Sequence, residues 1–240
     1  FANSIRAGFT FNAGSGNADS SGSLTGVENS MDFWGVGAYA GWSSGNFGLI
    51  ADVTYTDTSN DVTGSLDSRL GMGSSLTSDI DASAVSAGVR AEYKVETSVV
   101  DLVAHAGVRY MRLHTKGYDV NVAGGTVLTS DSSNQNIWTF PIGITLSKEI
   151  EAEHNWHFKP VLDFTVIPAA GDVDSQADVR FTGMPVSSGF ETQMMDRFTW
   201  QGGAGVEIGT DNMTFGVNYT LQSSRNYTGH GLFGSFRYVF

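Results

Sequence analysis

Five histidines and no cysteine limit the chemistry open to this chain of 240 residues. Without thiols it has neither a disulfide framework nor a thiolate metal site. The densest run of possible ligands is "HNWH" (154–157), beside Glu151 and Glu153. Its histidines stand three apart at a turn, with His157 entering a strand, and not on one helix face, so no metal is expected there. A strand-borne hydrolase pair needs His and Ser two residues apart; His105 is followed at that spacing by Gly107 and His114 by Lys116. Asp119 is close to His114 in sequence, and His230 stands alone. "GVGAYAG" (35–41) mimics a dinucleotide loop but opens no helix, which leaves its glycines as space-makers on a strand face. Asn212, Asn218 and Asn226 begin Asn-x-Thr triplets that fall in or near strands and carry no weight as glycosylation signals. No cofactor is expected from these residues.

The elements that would have to position such groups are all of one kind. Net charge is -12 with 13 Lys and Arg, so a nucleic-acid partner is excluded for want of a basic surface. The longest apolar stretch, "FWGVGAYAGW" (33–42), falls short of the roughly 20 residues a membrane helix needs. Mean hydropathy is -0.10, which a membrane barrel also produces because its strands alternate. No targeting segment opens the sequence, so one is expected to have been removed or to lie outside it.

Alternation recurs along the chain. In "VSAGVRAEYKV" (85–95), Val85, Ala87, Val89, Ala91, Tyr93 and Val95 oppose Ser86, Gly88, Arg90, Glu92 and Lys94. In "VDLVAHAGVRY" (100–110), Leu102, Ala104, Ala106 and Val108 oppose Asp101, His105 and Arg109. Similar segments hold Phe158, Leu162 and Phe164 against His157, Lys159 and Asp163, Val206 and Ile208 against Glu207, and Phe215, Val217 and Tyr219 against Gly216 and Asn218. Weaker versions at 5–11, 32–42, 47–56 and 137–147, with the last strand, make ten. The fold class is all-β. Connections alternate between long (roughly 12–31, 57–80, 116–135, 168–197, 223–229) and short (43–46, 96–98, 149–155, 210–211), and Trp and Tyr cluster near strand ends. Both are marks of a transmembrane antiparallel β-barrel of the outer membrane. Arg90, Glu92, Lys94, Asp101, Arg109, Lys159, Asp163, Glu207 and Arg237 then line a mixed-charge lumen. Pro141 and Pro160 flank the 149–152 turn and predict one shared bulge.

The chain finishes on "GHGLFGSFRYVF" (229–240), where Phe236, Tyr238 and Phe240 alternate with Ser235, Arg237 and Val239. A terminal Phe with aromatics at alternate upstream positions resembles the C-terminal signal of bacterial outer-membrane barrels. The resemblance implies that these three residues are read by the outer-membrane assembly machinery. The last three strands, from "DRFTWQGGAGVEIGTDN" to the end, resemble the close of an autotransporter β-domain. The segment 161–198 resembles the extended surface hairpin of those domains, rising through 177–183 and returning through 189–197. What the resemblance implies is a single translocator domain over 1–240, with a surface hairpin at 168–197. Such a domain sits in the outer membrane of a Gram-negative bacterium against membrane lipid and lipopolysaccharide, exports its own N-terminal passenger and is not an enzyme. The family norm is twelve strands behind a pore helix. Ten are visible here, so the helix and first strands are expected outside this sequence, or the barrel is unusual. The alternatives are a small porin, which needs a wide unplugged lumen, or a rim-active enzyme such as an omptin-like protease, whose Asp-x-His pair on a late strand is missing.

Overall fold

The computed structural model describes residues 4–19, 26–65, 75–152, 155–184, 187–193 and 195–238. The described elements are all strands: β1 (Ser4–Asp19), β2 (Val27–Ser44), β3 (Phe47–Ser65), β4 (Ser75–Glu96), β5 (Asp101–Thr115), β6 (Tyr118–Val122), β7 (Gly125–Ser130), β8 (Ser133–Thr139), β9 (Ile142–Ser147), β10 (Ile150–Glu151), β11 (His157–Gly171), β12 (Asp174–Phe181), β13 (Ser187–Gln193), β14 (Phe198–Gly209), β15 (Met213–Ser224) and β16 (Thr228–Tyr238).

Each ladder is antiparallel, and the full-length passes lie side by side in chain order, while the β6–β7 hairpin pairs with β4 and β12. β1 pairs β2, β2 pairs β3, β3 pairs β4 and β4 pairs β5. β8 and β9 run in line, both flanked by β5 on one side and β11 on the other. Beyond β11 come β14, β15 and β16. Counting β8 with β9 as one pass gives ten passes. Among the described residues no ladder joins β1 to β16. The sheet nevertheless curls, because Asp52 on β3 and Asn218 on β15 line one cavity.

Polarity is turned inside out. The buried hydrophobic residues among those described are Ile137 and Val173, whereas Leu162, Phe164 and Val217 are each half exposed or more. Rings collect at two levels on the outward face. Trp34 packs against Tyr55 at 5.6 Å and Tyr110 against Trp138 at 4.9 Å; at the other end Trp42 meets Phe47 at 6.0 Å and Phe215 meets Phe236 at 4.8 Å. Trp34 and Trp42 are eight residues apart on β2, as are Phe47 and Tyr55 on β3. At about 3.3 Å per residue and a tilt of about 40°, the belts lie roughly 20 Å apart, close to the apolar band of a barrel. Between them the outward positions of β4, β5, β9 and β11 are Val, Ala, Leu, Ile, Phe and Pro, with no charge. Among the described residues no helix is long and apolar enough to cross a membrane.

Two expectations need correction. The long connections are largely strand: β3 runs to Ser65, β4 starts at Ser75, and the hairpins β6–β7 and β12–β13 occupy parts of 116–135 and 168–197. Beyond the outer belt both faces meet water, so ladders persist where alternation vanishes. The proline bulge is also absent. Pro141 falls in the gap between β8 and β9, beside Pro168, whereas Pro160 is paired with Val206 within β11. The two stand about seven residues apart along β11, and the register on each side of Pro141 continues without an extra residue. The break needs no bulge, because proline merely withholds one ladder donor and the flanking bonds continue, Gly107 N to the Pro141 carbonyl at 2.8 Å and Phe140 N to that of Pro168 at 2.9 Å.

Candidate functional site: the lumen

Inward parity places a cavity of about 590 Å³ within the sheet, and Arg90, His105, Arg109, Asp52 and Asp163 are among its lining residues. Its charges are matched across strands. Arg109 on β5 reaches over Gly88 of β4 to Asp52 of β3, with Nη2 at 2.7 Å from Oδ1, and donates from Nη1 to Ser86 Oγ at 2.9 Å. Gly88 allows this crossing, since a Cβ there would meet the guanidinium at 3.0 Å. Arg90 ion-pairs with Glu92 on its own strand. Lys159 on β11 faces Glu207 on β14 at 3.6 Å.

The wall between β5, β9 and β11 holds a tighter cluster. Asp163 accepts from the hydroxyls of Thr145 at 2.7 Å and Thr165 at 3.0 Å, and its Oδ2 lies 3.6 Å from Nε2 of the buried His105. Thr165 Oγ1 is 3.4 Å from that same nitrogen. Gly143 makes room: a Cβ there would collide with the Phe164 carbonyl, the Thr165 hydroxyl and His105 Nε2. A nucleophile–His–acid relay needs the hydroxyl and the carboxylate on opposite ring nitrogens. Here both face Nε2, so the cluster ties three strands together and does not relay a proton.

Of the residues singled out from sequence, Arg90, Arg109 and Asp163 line the cavity, and Glu92, Lys159 and Glu207 are ion-paired beside it. Lys94 pairs with Glu96 at 2.6 Å at the end of β4, and Asp101 stands opposite Glu96 there. Arg237 lies opposite Thr214 and makes no ion pair among the described residues. Phe236 packs on Phe215, and Tyr238 stands opposite Met213. Phe240 lies outside the described residues, as does His154. No group of three metal-ligating side chains forms among the described residues. His114 contacts Asn134 Oδ1 at 3.1 Å and Asp119 accepts from Thr129, so those two are not brought together. His230 binds Tyr219 through its hydroxyl. Sequence reasoning missed Asp52, Thr145 and Thr165 as lining residues and His105 as a buried partner. Asp52 carried a signal, being an acid at the inward parity of "LIADVTY" (49–55).

A curled antiparallel sheet with a charge-matched interior and a charge-free outer band between aromatic belts defines an outer-membrane β-barrel. The autotransporter β-domain family model matches residues 1–220. The chain belongs to that family and is an outer-membrane translocator barrel. It is similar in fold to the translocator domain of the autotransporter NalP from Neisseria meningitidis, at 11% identity and a TM-score of 0.65, over 98% of this chain and 80% of that one. It is also similar to the β-domain of the Bordetella autotransporter BrkA, at 12% identity and a TM-score of 0.61, over 100% and 94% of the two chains. The transport unit of AIDA-I from Escherichia coli matches at 17% identity and 0.61, over 97% and 76%. No curated protein matches the sequence.

Proposed function

We propose that this barrel anchors an autotransporter and takes part in exporting its own N-terminal passenger through the lumen. The observation that carries the reading is the matched interior. Arg109 with Asp52, Arg90 with Glu92 and Lys159 with Glu207 leave a polar wall that solvates a passing segment without gripping one sign of charge. Arg90, Glu92, Lys94, Asp101, Arg109, Lys159, Asp163, Glu207 and Arg237 serve as this lining, and chemistry on the substrate is not part of the role. Phe236, Tyr238 and Phe240 serve as the signal to the assembly machinery, and the β12–β13 hairpin within 168–197 stands on the cell surface.

An unpaired sheet edge cannot persist in hydrocarbon, where each orphaned backbone group costs several kcal/mol. No ladder joins β1 to β16 among the described residues, so in the membrane the wall between them is closed either by their own pairing or by further strands. The test is to place an epitope ahead of Phe1 in the full-length protein and label intact cells. Surface labelling supports export. An epitope that stays inside while the barrel inserts normally refutes it and favours a pore.

A further inference from the structure

β5 leaves the outer belt with basic side chains on its lipid-facing side. Arg112, His114 and the adjoining Lys116 share the parity of Tyr110, which packs on Trp138 in the belt. They span about 13 Å of strand just above the apolar band. Their setting is unlike that of the strands on one flank. At the same height and parity, β2, β3 and β4 present Asp32, Asp57 and Asp81.

Most of these charges are already engaged. Asp81 binds Lys116 at 3.2 Å and takes the Ser59 hydroxyl at 3.0 Å; these partners, Lys116 first, hold its carboxyl below the usual range. Asp57 accepts from Tyr55. Asp172, the acid nearest on the other flank, accepts both the backbone and the side-chain N–H of Asn136. Arg112 is different. It is exposed and has no hydrogen-bond or ion-pair partner among the described residues, although Asn136 stands directly opposite it. Its guanidinium offers five donors at headgroup height with no acceptor from the protein among the described residues.

We propose that Arg112, with His114 and Lys116, binds the phosphate of a phosphorylated lipid headgroup in the outer leaflet. The site rests on the outer-membrane reading and adds a fixed lipid position at one strand of the barrel. The height of the ladder, directly above the Tyr110–Trp138 belt, is where headgroups begin. A planar guanidinium takes a phosphate through two parallel N–H bonds, and Lys116 supplies a second charge once its pairing with Asp81 is shared. The acidic rim on β2 to β4 repels the same group, so the lipid is held at β5 and not on that flank.

The experiment uses the full-length protein extracted from outer membranes and exchanged into phosphatidylcholine nanodiscs. The discs carry bisphosphorylated lipid A or the same lipid stripped of phosphate. Heat-dependent gel mobility first confirms the inserted barrel for every variant, so a failure of the barrel reading is seen separately. Native mass spectrometry then counts lipid retained. Wild type should keep bisphosphorylated lipid A and not the dephosphorylated form. Arg112→Gln and Lys116→Gln should each lower retention about fivefold, and the double variant more. Lys148→Gln removes one charge at the opposite end, where Nζ donates to the Thr97 carbonyl, and should change nothing. Equal retention by wild type and double variant overturns the proposal. So does an equal loss in Lys148→Gln, which would mean bulk charge attraction. Displacement by millimolar inorganic phosphate as readily as by competing lipid A would make the ligand a free anion, and refutes the lipid assignment.

Discussion

Leu162 and Val161 are adjacent on β11 and face opposite media, so replacing each by Arg tests the wall directly. Leu162 is 56% exposed on the outward side, whereas Val161 lines the cavity. Leu162 lies four residues from Phe158 in the inner ring layer and four from Val166, which stands opposite Trp200. At about 3.3 Å per residue and a tilt of about 40°, that puts it roughly 10 Å from either level, at the centre of the band. An Arg on the lipid face at that depth costs about 2–4 kcal/mol. The folding equilibrium constant should therefore drop about 30- to 900-fold in Leu162→Arg. An Arg at 161 enters a watered cavity beside Asp163 and opposite Gly205, and its cost should stay below about 1 kcal/mol. The assay is urea unfolding of the barrel in lipid vesicles, followed by tryptophan fluorescence and by gel mobility before and after heating. Equal losses at the two positions, or a larger loss at 161, would refute the assigned parity and the lumen with it.

Three further outcomes follow from the same geometry. Gly143→Ala should cost about 1–3 kcal/mol in that assay, because its Cβ has no room between His105, Thr165 and the Phe164 carbonyl; an unchanged midpoint would show that the cluster gives way freely. Asp196 accepts Nδ2 of Asn226 at 3.0 Å, the Asn226 backbone N–H at 2.8 Å and the Gln193 amide at 3.0 Å, which ties the foot of β13 to the β15–β16 turn. The Ser224 hydroxyl first, then the Asn226 N–H, hold its carboxyl below the usual carboxylate range. A depressed carboxylate stabilises above its unfolded value and loses that contribution as pH falls through the folded one. Pepsin nicking near residue 195 should thus rise as pH falls from the usual carboxylate range toward the lowered folded value, and Asp196→Asn should remove the dependence. Deleting Phe240 should cut the yield of inserted barrel in cells far more than it shifts the unfolding of barrel already made, since one ring accounts for about 1.5–3 kcal/mol; undiminished outer-membrane levels would count against a signalling role.

What could be read from the sequence follows the medium each residue meets. Where lipid lies on one side and a lumen on the other, side-chain polarity must switch at every residue. The ten passes, their parity and the positions of Arg90, Arg109, Lys159 and Glu207 were therefore legible from spacing alone. Past Tyr110 and Trp138 both faces meet water, and the rule that forces alternation lapses. The outer reaches of β2, β3 and β4 and the β6–β7 hairpin thus read as loops, although their backbones stay paired. Pairing across strands was invisible for a different reason. His105, Thr145 and Asp163 come from three strands, and their meeting depends on the register between β5, β9 and β11, which no single segment encodes. A shift of one residue in either ladder would carry the whole inward set to the lipid side. The charge-free outer band and the ion pairs inside are thus two consequences of one register. That shared dependence is why an Arg on the wrong side of β11 should be felt so strongly.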